Sequence, residues 1–391
     1  MYGSRNTGKS FEEKKVETMM EDKMKRISIA NPIFNGNEKK YLMECIDTGW
    51  VSANGRFVNE FEEKFAEFCN TKYALTCSNG TVSLHLILSA MGIGPGDEVI
   101  MPALTYIATA NAVRYCGATP VFIDSDENTF NMDPERVEKR INKKTKAIMP
   151  VHLYGLPADM KRIFEIADKY SIPVIEDAAE AHGAEYEGKR VGGFGVAASF
   201  SFFGNKVITC GEGGMITTND EKLYRRMKLL KGQAVSPDKR YWHVDVGYNY
   251  RMTNMQAAVG LGQLEKISWH MEQRKRIAGL YEKYLVGTEK YMKMQKVPSN
   301  CTSVYWMNNV ILQDTVNQAR DEVMRKMEEC NIEMRPVFYP MHIMPPYLDN
   351  GVDCPVAEKL GARGISLPSH AGLGEEEVYY VCDCLKKIVG C

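Results

Sequence analysis

From Asn31 onward, short runs rich in β-branched and aromatic residues alternate with amphipathic helical stretches, and this rhythm restricts the fold more than any other feature of the chain. Parallel strands need a connection long enough to hold a helix, so the alternation specifies a mostly parallel sheet with helices on both faces. Strands are expected at Tyr73–Thr76, EVIMP (98–102), PVFID (120–124), KAIMPV (146–151) and PVIED (173–177), with shorter ones at SFSFF (199–203) and GMITTND (214–220). Helices are expected near Thr81–Met91, Ile107–Tyr115 and Met160–Tyr170. The character changes at Thr253, where T-x-x-Q (253–256) forms a capping box ahead of Leu261, Leu264, Ile267 and Met271. We expect one long helix from there to about Tyr284, bridging to a smaller carboxyl-terminal α/β domain. The division expected is a charged extension at 1–26, a large domain at 27–252, and the linking helix with the small domain at 253–391.

Bulk properties exclude several classes. A chain of 391 residues exceeds what one core usually fills, and 44% apolar with 25% charged residues is ordinary for a soluble globular protein. With 49 basic against 50 acidic side chains there is no global field to attract nucleic acid, so an anionic ligand must be bound locally. The eleven cysteines are scattered without a C-x-x-C, which reads as reduced thiols and a cytoplasmic location. No stretch approaches the ~18 apolar residues of a membrane span, and the histidines lack zinc spacing, so neither a membrane nor a metal is expected. Residues 3–10, GSRNTGKS, match the phosphate-loop pattern literally, yet only Met1 and Tyr2 precede them. That loop works by following a buried strand and opening a helix, so we read the match as chance.

The chemistry concentrates elsewhere. Lys206 sits in SFSFFGNKVITCGEGG (199–214), a loop whose glycines permit close backbone approach. A lysine desolvated there is a usable nucleophile toward an aldehyde, although most lysines are solvated surface charges. Asp177 ends PVIED at a strand's carboxyl end, where open α/β sheets bind ligands, with Ala178 and Ala179 leaving room for a flat ring; capping the next helix would also explain it. Ser78-Asn79-Gly80-Thr81 leaves a strand and opens a helix, which makes a phosphate seat or, more plainly, a helix cap. Tyr106 in PALTYIATAN (102–111) offers an aromatic face, or ordinary packing.

Together these features resemble the pyridoxal-phosphate enzymes of the aspartate-aminotransferase fold (type I). Within them the chain is similar to the DegT/DnrJ/EryC1/StrS nucleotide-sugar aminotransferases from about Ile27 onward. SNGTVSLHL, GDEVIMPALTYIATANAV, IEDAAEAHGA, SFFGNKVITCGEGGM and GYNYRMTNMQAAVG resemble that family's blocks in order. The resemblance implies that Lys206 carries pyridoxal 5′-phosphate covalently, that Asp177 holds the pyridine nitrogen and that Tyr106 stacks on the ring. It implies a phosphate held by Asn79, Gly80, Thr81 and Ser201, with Asn249 reaching it from the neighbouring subunit of a homodimer. Glu180 stands where the wider family often has glutamine; beside the ring's phenolate oxygen it must share a proton or be repelled.

By the same resemblance, L-glutamate leaves its nitrogen on the cofactor as pyridoxamine 5′-phosphate, and a nucleotide-linked 4-keto-6-deoxy sugar accepts it at C4. KGQ (231–233), YWH (241–243) and RPVFYPMHIMP (335–345) favour GDP-4-keto-6-deoxymannose over UDP- or dTDP-linked sugars. Trp50, Ser52, Arg335, Tyr339 and His342 are the candidate sugar contacts, against the plainer readings of core and salt bridge. Relatives that remove a hydroxyl have histidine in place of the lysine, so Lys206 argues against dehydration. A cofactor-binding regulator without turnover is the remaining alternative, and no DNA-binding segment accompanies it.

Overall fold

The computed structural model describes residues 25–349 and 351–391, so the phosphate-loop match at 3–10 lies outside the described residues. Leaving aside two-residue bridges and single-turn helices, the large domain runs α1 (Glu38–Thr48), α2 (Arg56–Cys69), β1 (Tyr73–Cys77), α3 (Gly80–Ala90), β2 (Glu98–Pro102), α4 (Ala108–Tyr115) and β3 (Thr119–Ile123). It continues through β4 (Thr145–Ile148), α5 (Met160–Tyr170), β5 (Ile175–Asp177), β6 (Ala197–Ser201), β7 (Gly214–Thr218) and α6 (Glu221–Leu230). Parallel bridges Ile148–Val174 and Val151–Asp177 join two ladders into one sheet of order β3-β2-β4-β5-β6-β7-β1. Neighbours pair in parallel except β7, which is antiparallel to both β6 and β1. The expected mostly parallel sheet is therefore present, with α3, α4 and α5 supplying the crossovers from β1 to β2, β2 to β3 and β4 to β5.

The strands are short and nearly all buried, as a sheet covered on both faces requires. Behind β6, Phe61 and Phe65 from α2 meet Phe200 and Phe202, with Phe65 and Phe200 ring centroids 4.9 Å apart at 78°. This aromatic wedge fixes the strand that delivers the lysine loop.

The long helix expected from Thr253 is two helices, α7 (Asn254–Leu264) and α8 (Ile267–Tyr284). The capping box is present: Gln256 N–H donates to Thr253 Oγ1 at 3.2 Å and Thr253 N–H to Gln256 Oε1 at 3.0 Å. The break at Lys266 (φ −109°, ψ 9°) separates a helix packed on α1 and α2 from one whose Ile277 and Tyr281 enter a second core. That core lies on an antiparallel sheet of β8 (Met292–Met294), β9 (Asn308–Leu312), β10 (Arg335–Pro336) and β11 (Gly364–Leu367), in the order β8-β9-β11-β10. Helices α9 (Arg320–Glu329), α10 (Pro355–Arg363) and α11 (Glu375–Val389) accompany this sheet. Ile27 joins the second core and bridges Ile332, so the start of the described chain packs with its carboxyl-terminal part. No helix among the described residues is long and apolar enough to cross a membrane.

Candidate active site

Because β7 pairs with both β1 and β6, and β6 with β5, the carboxyl ends of β1, β5 and β6 lie side by side. Asp177 is the last residue of β5 and Ser201 the last of β6; Ser78–Thr81 leave β1 and open α3. The lysine loop follows β6. One rim of the sheet therefore gathers residues separated by more than a hundred positions in the chain.

The phosphate seat is close-packed. Asn79 Oδ1 accepts the Val82 N–H at 3.0 Å and caps α3, and a Cβ on Gly80 would stand 2.9 Å from Ser201 Cβ. Glycine at 80 thus lets the helix start approach Ser201, which brings that hydroxyl to the helix's positive end, where an anion is favoured. Ser78 N–H donates to Tyr250 O at 2.9 Å, so the GYNYR segment lines the seat through its backbone, while Asn249 is itself exposed.

Asp177 is buried, and its Oδ2 accepts from the Thr109 hydroxyl at 2.8 Å. Its other oxygen accepts the Ala179 N–H at 3.2 Å. Burial pushes this carboxyl above its ordinary range, opposed by those two donors and by Lys206. No lysine, arginine or histidine among the described residues forms an ion pair with it, which leaves a carboxylate suited to a protonated ring nitrogen.

Lys206 Nζ is 3.7 Å from Glu180 Oε1 and 3.8 Å from the centroid of the Trp306 ring. Burial pulls its ammonium below the usual lysine range, against the attraction of Glu180 and Asp177. Glu180, whose Oε2 accepts the Tyr154 N–H at 2.7 Å, is pushed up to about 7 by burial, although Lys206 opposes the shift. A desolvated amine next to a carboxyl poised near neutrality can exchange protons at physiological pH. His182 lies behind them among Phe65, Phe200 and Phe202, and burial holds it down to about 3, so it stays a neutral ring. Tyr106 is exposed, its ring 5.7 Å from that of Phe338 at the mouth of the site.

Together, the close-packed seat, the unpaired buried carboxylate and the desolvated amine fit pyridoxal phosphate by chemistry. The sequence profile of the DegT/DnrJ/EryC1/StrS aminotransferase family matches residues 32–386. The chain belongs to that family. It is 52% identical over 365 residues to a protein named GDP-perosamine synthase from Caulobacter vibrioides, covering 93% of this chain and 98% of the relative. A protein of the same name from Escherichia coli O157:H7 is 47% identical, covering 93% of this chain and 99% of that one. A Streptococcus pneumoniae protein described as a sugar aminotransferase, solved in its PMP form, superposes with a TM-score of 0.89 at 28% identity, covering 93% and 98% of the two chains. Its PLP form has also been solved. This protein is a pyridoxal-phosphate-dependent aminotransferase.

Around this aminotransferase site the structure adds residues that no sequence pattern marked. Thr109 looked like any threonine early in a helix; only the fold sets it against Asp177. Trp306 and Arg274 come from the chain beyond Thr253, and Tyr154 (φ 58°) occupies a left-handed conformation beside Glu180. Glu176, one residue before Asp177, points to the other side of the strand and accepts N–H groups of Gly192, Phe194 and Gly195 at 2.8, 2.8 and 2.9 Å, with His152 Nε2 at 3.1 Å. Burial pushes Glu176 up, but these partners outweigh it and hold the carboxyl below its usual range.

The proposed sugar contacts divide. Trp50 and Ser52 are exposed on a loop whose carbonyls accept Asn254 Nδ2 at 2.7 Å and Asn254 N–H at 2.9 Å. Arg335 is exposed beside Glu333 at 3.5 Å, and Tyr339 is half-exposed, its hydroxyl accepting from Arg320 Nη2 at 2.6 Å. His342 is 3% exposed, and its Nε2 lies 2.9 Å from Oε1 of Glu358.

Proposed function

We propose that this enzyme transfers the amino group of L-glutamate to C4 of GDP-4-keto-6-deoxymannose, giving GDP-perosamine for a surface polysaccharide. The reading is carried by one observation: a buried lysine amine shares a pocket with two carboxyls, in a chain 52% identical to a relative named for that product. We place the reaction in the cytoplasm, on the scattered cysteines without a C-x-x-C in the sequence.

When bound, pyridoxal phosphate supplies an electron sink and a carrier for nitrogen. Asn79, Gly80, Thr81 and Ser201 would hold its phosphate, and Tyr106 would cover its ring. Asp177, oriented by Thr109, would keep a proton on the pyridine nitrogen, a charge-assisted bond contributing about 1.5–3 kcal/mol. Lys206 would remove the proton from Cα of the donor amino acid and return one to the opposite end of the transfer, then repeat this in reverse for the sugar. Glu180, close enough to share a proton with Lys206, would keep the pocket's net charge near constant as the amine cycles. Trp50, Ser52, Arg335, Tyr339 and His342 remain our candidates for the nucleotide sugar.

The sites are shared between two subunits in this reading, with the exposed Asn249 completing the partner's phosphate seat. A direct test is to incubate the purified protein with glutamate and a panel of GDP-, UDP- and dTDP-linked 4-keto-6-deoxy sugars and to weigh the products. An amino sugar from the GDP substrate is expected; conversion of a UDP or dTDP sugar alone would overturn the choice of nucleotide.

A further inference from the structure

The Trp306 ring is held from several directions. Its indole N–H donates to Asn205 O at 2.7 Å, next to Lys206 in the chain, and its carbonyl accepts Arg274 Nη1 at 2.9 Å. The same guanidinium donates to Ser369 O at 2.9 Å and to Lys206 O at 3.4 Å, tying the lysine loop to the small domain. Tyr154 lies nearly parallel to the indole, centroids 6.0 Å apart at 14°. Gly155 allows that approach, since a Cβ there would meet Val304 Cγ2 at 2.8 Å and the Trp306 nitrogen at 2.9 Å, with φ at +93°.

An indole fixed in this way presents its face, not its edge, to Lys206 Nζ at 3.8 Å. The face carries the negative lobe of the ring quadrupole and attracts a cation, most strongly where water is excluded. In transamination the lysine is displaced when the incoming amino group takes its place, and its amine must then stay close, as ammonium or free base, until the proton has moved. A carboxylate alone would hold the ammonium by offering to accept its proton. An aromatic face attracts the charge and has no proton of its own to exchange. Building on the assignment of Lys206 above, we propose that Trp306 is a catalytic residue whose indole face holds the released Lys206 ammonium opposite Glu180.

The other charged or titratable groups facing the amine are Glu180, Asp177, His182 and Arg274, and all are left unchanged in the test. The full-length protein is freed of cofactor and mixed with pyridoxal phosphate, and the rate of covalent attachment is followed by absorbance as a function of pH. Only the unprotonated amine attacks, so the midpoint of this profile reports the proton affinity of Lys206. Tryptophans bearing one, two and three ring fluorines at position 306 preserve volume and the N–H bond while draining charge from the face. The midpoint should fall stepwise by about one pH unit over the series, roughly tenfold more free amine at neutral pH. Trp306→Phe, with a weaker face, should lie between the extremes. A structural role would slow attachment at every pH without moving the midpoint; a midpoint that stays fixed, or rises, overturns the proposal. Borohydride reduction of the unsubstituted protein separates the two levels. A labelled Lys206 peptide with a fixed midpoint sinks the role of Trp306 alone, and an unlabelled one sinks the lysine assignment and this proposal together.

Discussion

Lys206 lies 3.7 Å from Glu180, and both are coupled electrostatically to Asp177 in a pocket that excludes most water, so the charge of each depends on the others. Replacing Lys206 with alanine should leave cofactor binding measurable by absorbance while lowering turnover by at least ~10²-fold, as loss of the proton-transferring group requires. Asp177→Asn keeps the shape and the Thr109 bond but removes the charge; titration with pyridoxal phosphate should show affinity weakened by about 1.5–3 kcal/mol. Glu180 gives a prediction with a definite sign. Its folded-state pKa, about 7, lies above the ordinary glutamate value, so the folded state binds more protons through that interval. The stabilisation this provides is complete below the ordinary value and is lost as pH rises through the folded one. Thermal melts of the cofactor-free protein should therefore show the native chain losing about 1–3 kcal/mol relative to Glu180→Gln between acidic and mildly alkaline pH. Equal slopes for the two proteins would contradict that charge assignment.

At the scale of elements, the strand-to-helix junctions do the positioning. Gly80→Ala would push a methyl against Ser201 Cβ at 2.9 Å, and overpacking of this kind costs about 1–3 kcal/mol. Because the contact lies at the proposed phosphate seat, phosphate-bearing cofactor should lose more affinity than the phosphate-free aldehyde in parallel titrations. The capping box at Thr253 contributes differently. Thr253→Ala should lower stability by about 1 kcal/mol in a denaturant series, with little effect on catalysis. The two-helix bridge also shows where local reading stops. The apolar spacing through Leu261, Leu264 and Ile267 runs uninterrupted across Glu265 and Lys266, so periodicity alone continues the helix. The chain bends there because α7 is pinned to the large domain, with Gln263 Nε2 donating to Ile33 O at 2.8 Å and to Glu38 Oε1 at 2.6 Å, whereas α8 must reach the second core.

Among the described residues several large apolar side chains are exposed, including Phe34 at 57%, Trp50 at 58%, Tyr115 at 60%, Tyr241 at 78% and Val246 at 83%. Exposed apolar residues in such number suit an interface between copies of the chain. Sedimentation should accordingly give a dimer. Mixing Lys206→Ala with Asn249→Ala chains should then restore part of the activity that neither variant has alone, because one site of each mixed dimer would be intact; no recovery in a verified mixed dimer would mean that each site takes both residues from one subunit.

Local signals carried a large share of this protein. Alternating apolar runs were enough for the strands of the main sheet and for α3, α4 and α5, since side-chain periodicity follows directly from backbone geometry, whereas α1, α2 and α6 were not read from the sequence. The capping box at Thr253, the glycine-flanked loop of Lys206 and the strand-end position of Asp177 were readable because each depends on residues a few positions apart. What lay beyond reach were contacts between distant segments. Thr109 facing Asp177, Trp306 over Lys206 and the pairing of His342 with Glu358 arise only when separate segments close on each other. The same holds for the charge state of Glu180, which is set by exclusion of water, a property of the assembled pocket and not of any stretch of chain.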